Sequence, residues 1–159
     1  MAGKQNRAEP LDQPITAADG VDLEIIELLF FAYRDFTSDA DAALESSGMG
    51  RAHHRVIHFV NRQPGMTVAD LLDTLKITKQ SLSRVLKTLI DSGYIAQVVG
   101  PQDRRQRRLY PTKSGRDLAL ALAKPQSERI EKALADAAPS ERATVVRFLT
   151  NMLNSKGEV

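Results

Sequence analysis

No cysteine occurs among the 159 residues. That excludes a disulfide framework, a thiol switch, a cysteine nucleophile and any cysteine-ligated zinc site, and it fits a reducing compartment. Tryptophan is absent, and five Phe with three Tyr are too few for a surface that stacks unpaired bases, which weakens an RNA-binding reading. Long apolar runs are missing too. The longest, "IIELLFFAY" from Ile25, is broken by Glu27 and is far too short to span a bilayer. The first fifteen residues, "MAGKQNRAEPLDQPI", lack the apolar stretch of a signal peptide. A cytoplasmic protein with no membrane partner is expected. Catalytic signatures are lacking as well: there is no Gly-rich phosphate loop, no G-x-S-x-G and no H-E-x-x-H. The expectation is a protein that is not an enzyme, with no catalytic residues and no cofactor.

What is present is ordinary in bulk and uneven in arrangement. Hydrophobic residues make up 42% and charged residues 26%, which suits one soluble domain with a real core. The formal net charge is only +2, yet residues 1–50 carry three basic and ten acidic side chains while residues 76–116 carry ten basic and two acidic. Four arginines, Arg104, Arg105, Arg107 and Arg108, fall within five positions of "GPQDRRQRRLYPT".

Helical spacing organises the chain around that basic segment. Residues 1–16 are polar and proline-dotted and are expected to be disordered. Apolar residues at helical spacing predict a helix from Val21 to about Leu44, stopped by "SSGMG", and a second from Arg51 to Arg62, ended by "QPG". Thr67 with Asp70 three residues on reads as a capping box that opens a short helix through Leu75. Thr78 is placed to cap the next helix, which ends at about Ser92 with Gly93 as terminator. That helix has an apolar face of Leu82, Val85, Leu86, Leu89 and Ile90 and a free face of Gln80, Ser83, Arg84, Lys87 and Asp91. Two short helices joined by a tight turn, the second basic on its free face, form the helix-turn-helix pattern. "YIAQVV" and "RLYP" read as two antiparallel strands, a wing. A helix from Lys113 to about Ala137, capped by Thr112, and a last one from Pro139 to about Leu153 complete the chain. The fold class is mainly α with a small β-hairpin wing: a winged helix-turn-helix over residues 51–112 between helical regions at 17–50 and 113–159.

A solvated hairpin tip is the plain reading of four clustered arginines. It leaves the basic free face of the preceding helix unexplained, and double-stranded DNA explains both. A major groove about 12 Å wide admits a helix, and a minor groove about 6 Å wide admits an arginine-bearing loop. The candidate DNA-binding set is Thr67, Thr78, Lys79, Gln80, Ser81, Ser83, Arg84 and Lys87 on the helices, with Asp103, Arg104, Arg105 and Arg107 on the wing. Gln80, Ser81 and Ser83 are placed to read base edges, Arg84 to take guanine or phosphate, and Lys87 to take phosphate. Asp103 suits a turn; the sharper reading is that it pairs with Arg105 and aims the guanidinium.

The stretch "TVADLLDTLKITKQSLSRVLKTLIDSGYI…DRR…LYPTKSG" resembles the winged helix-turn-helix of MarR-type transcriptional regulators over roughly residues 50–118, and "HHRVIHFV…ITKQSLSRVL" resembles a PetP-like subgroup. The resemblance implies a homodimer whose first and last helices interlock and whose two lobes bind half-sites of a pseudo-palindrome. Repression is the common outcome, relieved in many members by a small aromatic or anionic ligand held between the domains. It places Gln80 to Lys87 on the recognition helix and Asp103 with Arg105 on the wing. Pro111 departs from the family pattern and is expected to shorten the second wing strand, since proline cannot donate to a ladder. The lack of cysteine removes the peroxide-sensing branch. Independently, the first helix is apolar on more than one face, with Leu23, Ile26, Phe30, Phe31 and Tyr33 beside its main stripe, so it must be buried in a core or against a partner.

All three histidines lie within six residues, and His54 with His58 has the i, i+4 spacing of metal ligands. Two imidazoles without a third ligand make a poor site, so partly buried polar positions are the favoured reading and no metal is expected. The alternative is a ligand pocket formed by His53 or His54 with Phe31 and Tyr33. The competing functional class is a winged helix that holds a protein partner, or serves only as a dimerisation scaffold, without specific DNA binding.

Overall fold

The computed structural model describes residues 11–100 and 106–154. Helix starts are set by short polar side chains. Thr16 and Asp19 form a capping box around a single 3-10 turn, Ala17–Asp19, and Asp22 accepts from the Ile25 N–H at 3.1 Å to open α1 (Leu23–Glu45). Then follow α2 (Arg51–Arg62), β1 (Met66–Thr67), α3 (Val68–Leu75), α4 (Lys79–Asp91), β2 (Ile95–Val99), β3 (Arg107–Pro111), α5 (Lys113–Ala133) and α6 (Pro139–Asn151). Residues 11–16 are exposed and have no regular structure, while residues 1–10 of the expected disordered tail lie outside the described residues.

The chain divides into two compact units, residues 1–34 and 35–159. The first holds the 3-10 turn and the opening of α1. Its large apolar side chains Ile25, Ile26, Leu28, Phe30, Phe31 and Tyr33 are all exposed, Phe30 to 69%. The Arg34 guanidinium lies 5.0 Å from the centre of the Phe31 ring.

The second unit contains the core. Leu44, Val56, Ile57, Val60, Leu71, Leu82, Leu89, Leu109 and Leu122 are closed to solvent there. Helix α2 packs against α4, α5 and β3, because Val56, Ile57 and Val60 form an apolar stripe that all three cover. Asn61 ties the same helix to α5 through the Gly115 carbonyl at 3.4 Å.

Three outcomes differ from the sequence reading. The expected hairpin is a three-stranded antiparallel sheet in the order β1-β3-β2, because Met66 and Thr67 pair with Leu109 and Arg108. Two residues are too short a strand to leave a period-2 signature. Pro111 does not shorten the wing: it pairs with Ile95 as the last residue of β3. The Thr112 N–H donates to the Tyr94 carbonyl and the Gly100 N–H to the Gln106 carbonyl, so by alternation Pro111 falls at a non-hydrogen-bonded position where its missing N–H costs nothing. Helix α5 stops at Ala133 instead of about Ala137. The Leu134 N–H reaches back to Ile130 and Glu131, and Pro139 holds Ala138 extended (φ −65°, ψ 155°), so the chain must turn before α6 starts.

The Thr112-x-x-Gly115 motif joins the wing to α5. Thr112 Oγ1 donates to the Gly93 carbonyl at 2.6 Å and accepts from the Gly115 N–H at 3.0 Å. A Cβ on Gly115 would lie 1.9 Å from the Tyr94 carbonyl oxygen, a contact with backbone that cannot be relieved by a rotamer. Gly115→Ala should therefore destabilise the fold by about 1–3 kcal/mol, the usual range for overpacking, although alanine favours a helix by about 1 kcal/mol over glycine. Thermal unfolding of the variant checks this, and an unchanged or raised Tm would mean that the corner opens freely.

Candidate nucleic-acid interface

The helix-turn-helix is built from capped, short helices. Thr67 Oγ1 accepts from the Asp70 N–H at 3.1 Å, and Asp70 Oδ2 accepts from the Thr67 N–H at 2.8 Å and from its hydroxyl at 2.7 Å. These bonds, first of all the one from the Thr67 backbone, hold the Asp70 carboxyl below its usual pKa, with a further contribution from Arg108. At the other end of α3, Lys76 takes a left-handed conformation (φ 51°) that turns the chain, and its ammonium pairs with Asp73. Arg55 of α2 donates to the Leu75 carbonyl at 3.1 Å, fixing the turn to the core. Thr78 then caps α4: its hydroxyl accepts from the Ser81 N–H at 3.1 Å and donates to Ser81 Oγ at 2.9 Å.

Helix α4 buries Leu82, Val85, Leu86 and Leu89 and leaves Lys79, Gln80, Ser83, Arg84 and Lys87 exposed. Ser81 is half-buried, and its hydroxyl belongs to the cap. Lys87 pairs with Asp91 at 2.6 Å, both side chains largely in solvent, so the pair is worth at most about 1 kcal/mol and holds the ammonium weakly. In the wing, Arg107 is exposed opposite Val99. Asp103, Arg104 and Arg105, with the expected Asp103–Arg105 pair, lie outside the described residues.

Sequence reasoning gave Arg108 no separate role. Alternation along β3 sets Arg108 and Tyr110 on the face opposite Leu109, which is fully buried. Arg108 is half-buried, and its Nη1 donates to the Gly65 carbonyl at 3.3 Å. The signal available was that alternation, once the strand direction is known.

Of the candidate ligand residues, Phe31 and Tyr33 stand exposed on α1 in the first unit, and His53 and His54 are half-buried on α2 in the second. His53 caps α2: its Nδ1 accepts from the Gly50 N–H at 3.1 Å. An open cleft of about 350 Å³ between the start of α2 and α4 is lined by Gly48, Ala52, His53, Ser81, Arg84, Val85 and Thr88. No cluster of three or more metal-ligating side chains occurs among the described residues, and no described helix is long and apolar enough to cross a membrane.

With this geometry in hand, similarity to known proteins becomes specific. The MarR family profile matches residues 47–106, from the turn after α1 to the residue before β3. Over 81% of its length the chain is 46% identical to the HTH-type transcriptional regulator PetP of Rhodobacter capsulatus, of which it covers 78%. The chain belongs to the MarR family of transcriptional regulators, which are not enzymes. A more distant relative is the transcriptional activatory protein BadR of Rhodopseudomonas palustris, 32% identical over 53% of this chain and 50% of BadR. The crystal structure of Streptococcus pneumoniae FabT in complex with DNA shares the fold, with a TM-score of 0.71, 23% identity and coverage of 82% of this chain and 93% of FabT.

The histidines generate a pH prediction. Burial pushes His53 and His54 below the ordinary imidazole value of 6.5, aided at His54 by His58 (against the pull of Asp41). His58, whose side chain is exposed rather than partly buried as expected, is lowered in the same direction by partial desolvation and by Arg62. Below pH 6.5 the unfolded chain therefore binds more protons than the folded one, and stability falls as pH drops through that value. Asp70 titrates below this window. The Tm should be lower at pH 5.5 than at pH 7.5, and His53→Asn, which keeps an acceptor for Gly50 but does not titrate, should reduce the difference. Equal Tm values at the two pH values would refute the assignment.

Proposed function

We propose that this regulator acts as a homodimer that binds a pseudo-palindromic operator, with α4 in the major groove and the arginine wing in the minor groove. The observation that carries the reading is the division of α4: four apolar side chains closed into the core and Gln80, Ser83, Arg84 and Lys87 exposed as one polar, basic face. Any surface helix turns a polar face to water; this one gathers Lys79, Arg84 and Lys87 on it beside a basic wing, and a groove lined by phosphate and base edges suits that combination. Lys79 at the start of the helix and Arg107 at the described end of the wing extend the same charge, and Asp103, Arg104 and Arg105 continue it on sequence grounds. Thr67, Thr78 and Ser81 support the surface through their caps, in which the two threonine hydroxyls already donate to Asp70 and Ser81. FabT, solved on DNA, supports the docking by analogy of fold.

Dimerisation through residues 17–50 and 113–159 accounts for the apolar side chains left in solvent. Helix α6 has no buried residue, and Val146, Phe148, Leu149 and Met152 are each more than 40% exposed; the exposed set on α1 is equally apolar. Patches of this kind on one chain call for a partner, and a second copy supplies two half-sites at once. Repression by occlusion is the simplest outcome, and cytoplasmic DNA the setting. BadR's name describes an activator, so the sign of regulation follows from where the operator lies relative to the promoter. The cleft beside His53, Ser81 and Arg84 supports a small aromatic or anionic effector, because an anion there draws the Arg84 guanidinium away from the duplex.

Selection of bound duplexes from a random pool at two salt concentrations tests the reading. The expected result is a two-fold-symmetric motif with half-sites about 10 bp apart. Arg84→Ala should cost about 1–3 kcal/mol and relax one position of the motif, and Arg105→Ala should cost specific affinity, so that the motif is lost or weakened. Absence of any enriched motif would favour the alternative, a winged helix that holds a protein partner. Phe148→Asp should convert the protein to a monomer in sedimentation and abolish the two-fold motif together with the dimer; a dimer that persists would move the interface elsewhere.

A further inference from the structure

The central strand of the wing opens with two adjacent arginines, and the structure treats them differently. Arg107 is exposed on the described edge of the wing tip, with only Val99 opposite. Arg108, one residue on, faces the other way and is half-buried. It stands directly across from Thr67 in β1 and from Val98 in β2, on the central strand of the sheet. Its Nη1 donates to the Gly65 carbonyl at 3.3 Å, 43 residues away in sequence. Its Nε is closed to solvent with no partner among the described residues. A guanidinium placed to meet phosphate would keep those donors in water, so this one is committed to the protein.

What it grips matters for the helix-turn-helix. Gly65 lies in the turn between α2 and β1, at φ +91°, where only glycine is unstrained. The Gly65 N–H donates to the Leu109 carbonyl at 2.7 Å, and the Tyr110 ring lies so close that a Cβ on Gly65 would come within 3.1 Å of its hydroxyl. One residue of the turn is thus held by three consecutive residues of β3: Arg108, Leu109 and Tyr110. Two residues beyond it, Thr67 begins the capping box of α3, whose Asp70 carboxylate feels the Arg108 charge. The root of the wing and the start of the helix-turn-helix share one anchor.

We propose that Arg108 is a positioning residue of the wing, not a DNA contact: by holding the Gly65 carbonyl it sets the angle at which the central strand leaves the helix-turn-helix, and so where Arg107 and the tip meet the duplex. This rests on the DNA-binding reading above. Loss of the grip lets the wing swing, which weakens recognition of the one sequence that needs both helix and wing in register. Sequence-independent attraction to phosphate is untouched, because no phosphate contact is lost.

The experiment measures affinity for the selected operator and for an unrelated duplex, each across a salt series, for wild type, Arg108→Met, Arg108→Lys and Arg107→Ala. For Arg108→Met, operator affinity should fall about tenfold, the order of one charge-assisted hydrogen bond, with unrelated-duplex affinity and the salt slope unchanged. Arg107→Ala should behave as a phosphate contact, weakening both duplexes and lowering the slope by about 0.9. A slope lowered in Arg108→Met, or operator affinity equal to wild type, overturns the proposal. If Arg108→Met fails to fold by its thermal transition, Arg108→Lys decides. It keeps the cation but loses the planar fork, so a positioning role predicts weaker operator binding at unchanged unrelated-duplex affinity, and a phosphate role predicts no change. The DNA-binding reading fails separately, through a wild type that selects no motif. In that event amide hydrogen exchange at Gly65 still tests the anchor: its N–H, bonded to the Leu109 carbonyl, should exchange faster in Arg108→Met than in wild type, and unchanged exchange overturns the placement.

Discussion

The second unit depends on one strip of α2. Val56, Ile57 and Val60 are fully closed to water, and α4, α5 and β3 each use that strip as their floor. The hydrophobic effect is non-directional, so the strip alone would admit many arrangements. Direction comes from polar ties at its edges: Arg55 to the end of α3, Asn61 to α5 and His53 to the backbone that precedes α2. Burial supplies the stability and these few hydrogen bonds select the arrangement.

A second constraint governs the wing. It is held at its base from two sides, by the turn at Gly65 and by the corner where Thr112 and Gly115 press against Gly93 and Tyr94. Both grips use glycine: at Gly115 a side chain has no room, and at Gly65 the backbone takes φ +91°. Beyond them β2 and β3 run side by side to Val99 and Arg107, both exposed, and the Gly100 N–H closes the ladder on the Gln106 carbonyl. The wing is thus fixed where it meets the helices.

Much of this arrangement was legible in the residues, and for physical reasons. Thr67 with Asp70, Thr78 and Thr112 mark helix starts because a short hydroxyl satisfies an orphan N–H wherever it occurs. The 3.6-residue period of α2 and α4 reports burial directly. Strand β1 was illegible because two residues carry no period. The end of α5 was illegible because "ADAA" favours helix locally and only Pro139 beyond it forces the turn. At the site, the exposed face of α4 could be read from spacing. The inward turn of Arg108 could not, since four arginines in five positions look alike until the sheet assigns faces. The capping role of His53 was hidden for a similar reason: imidazole is rarely a cap, and its partner is a backbone N–H that no side-chain pattern announces.

Lys87 and Asp91 stand one turn apart on the exposed face of α4. An isolated lysine that docks on a phosphate displaces a condensed cation from the duplex, and the entropy of that release drives binding at low salt. Lys87 comes with a carboxylate already beside it. In the proposed docking, phosphate shares or competes for an ammonium that Asp91 already partly neutralises, so this lysine adds less to the sequence-independent attraction than an isolated one. Asp91 is in this sense a counterion built into the helix: it tempers the general attraction of a strongly basic segment for any duplex and leaves a larger share of the discrimination to Gln80, Ser83 and Arg84.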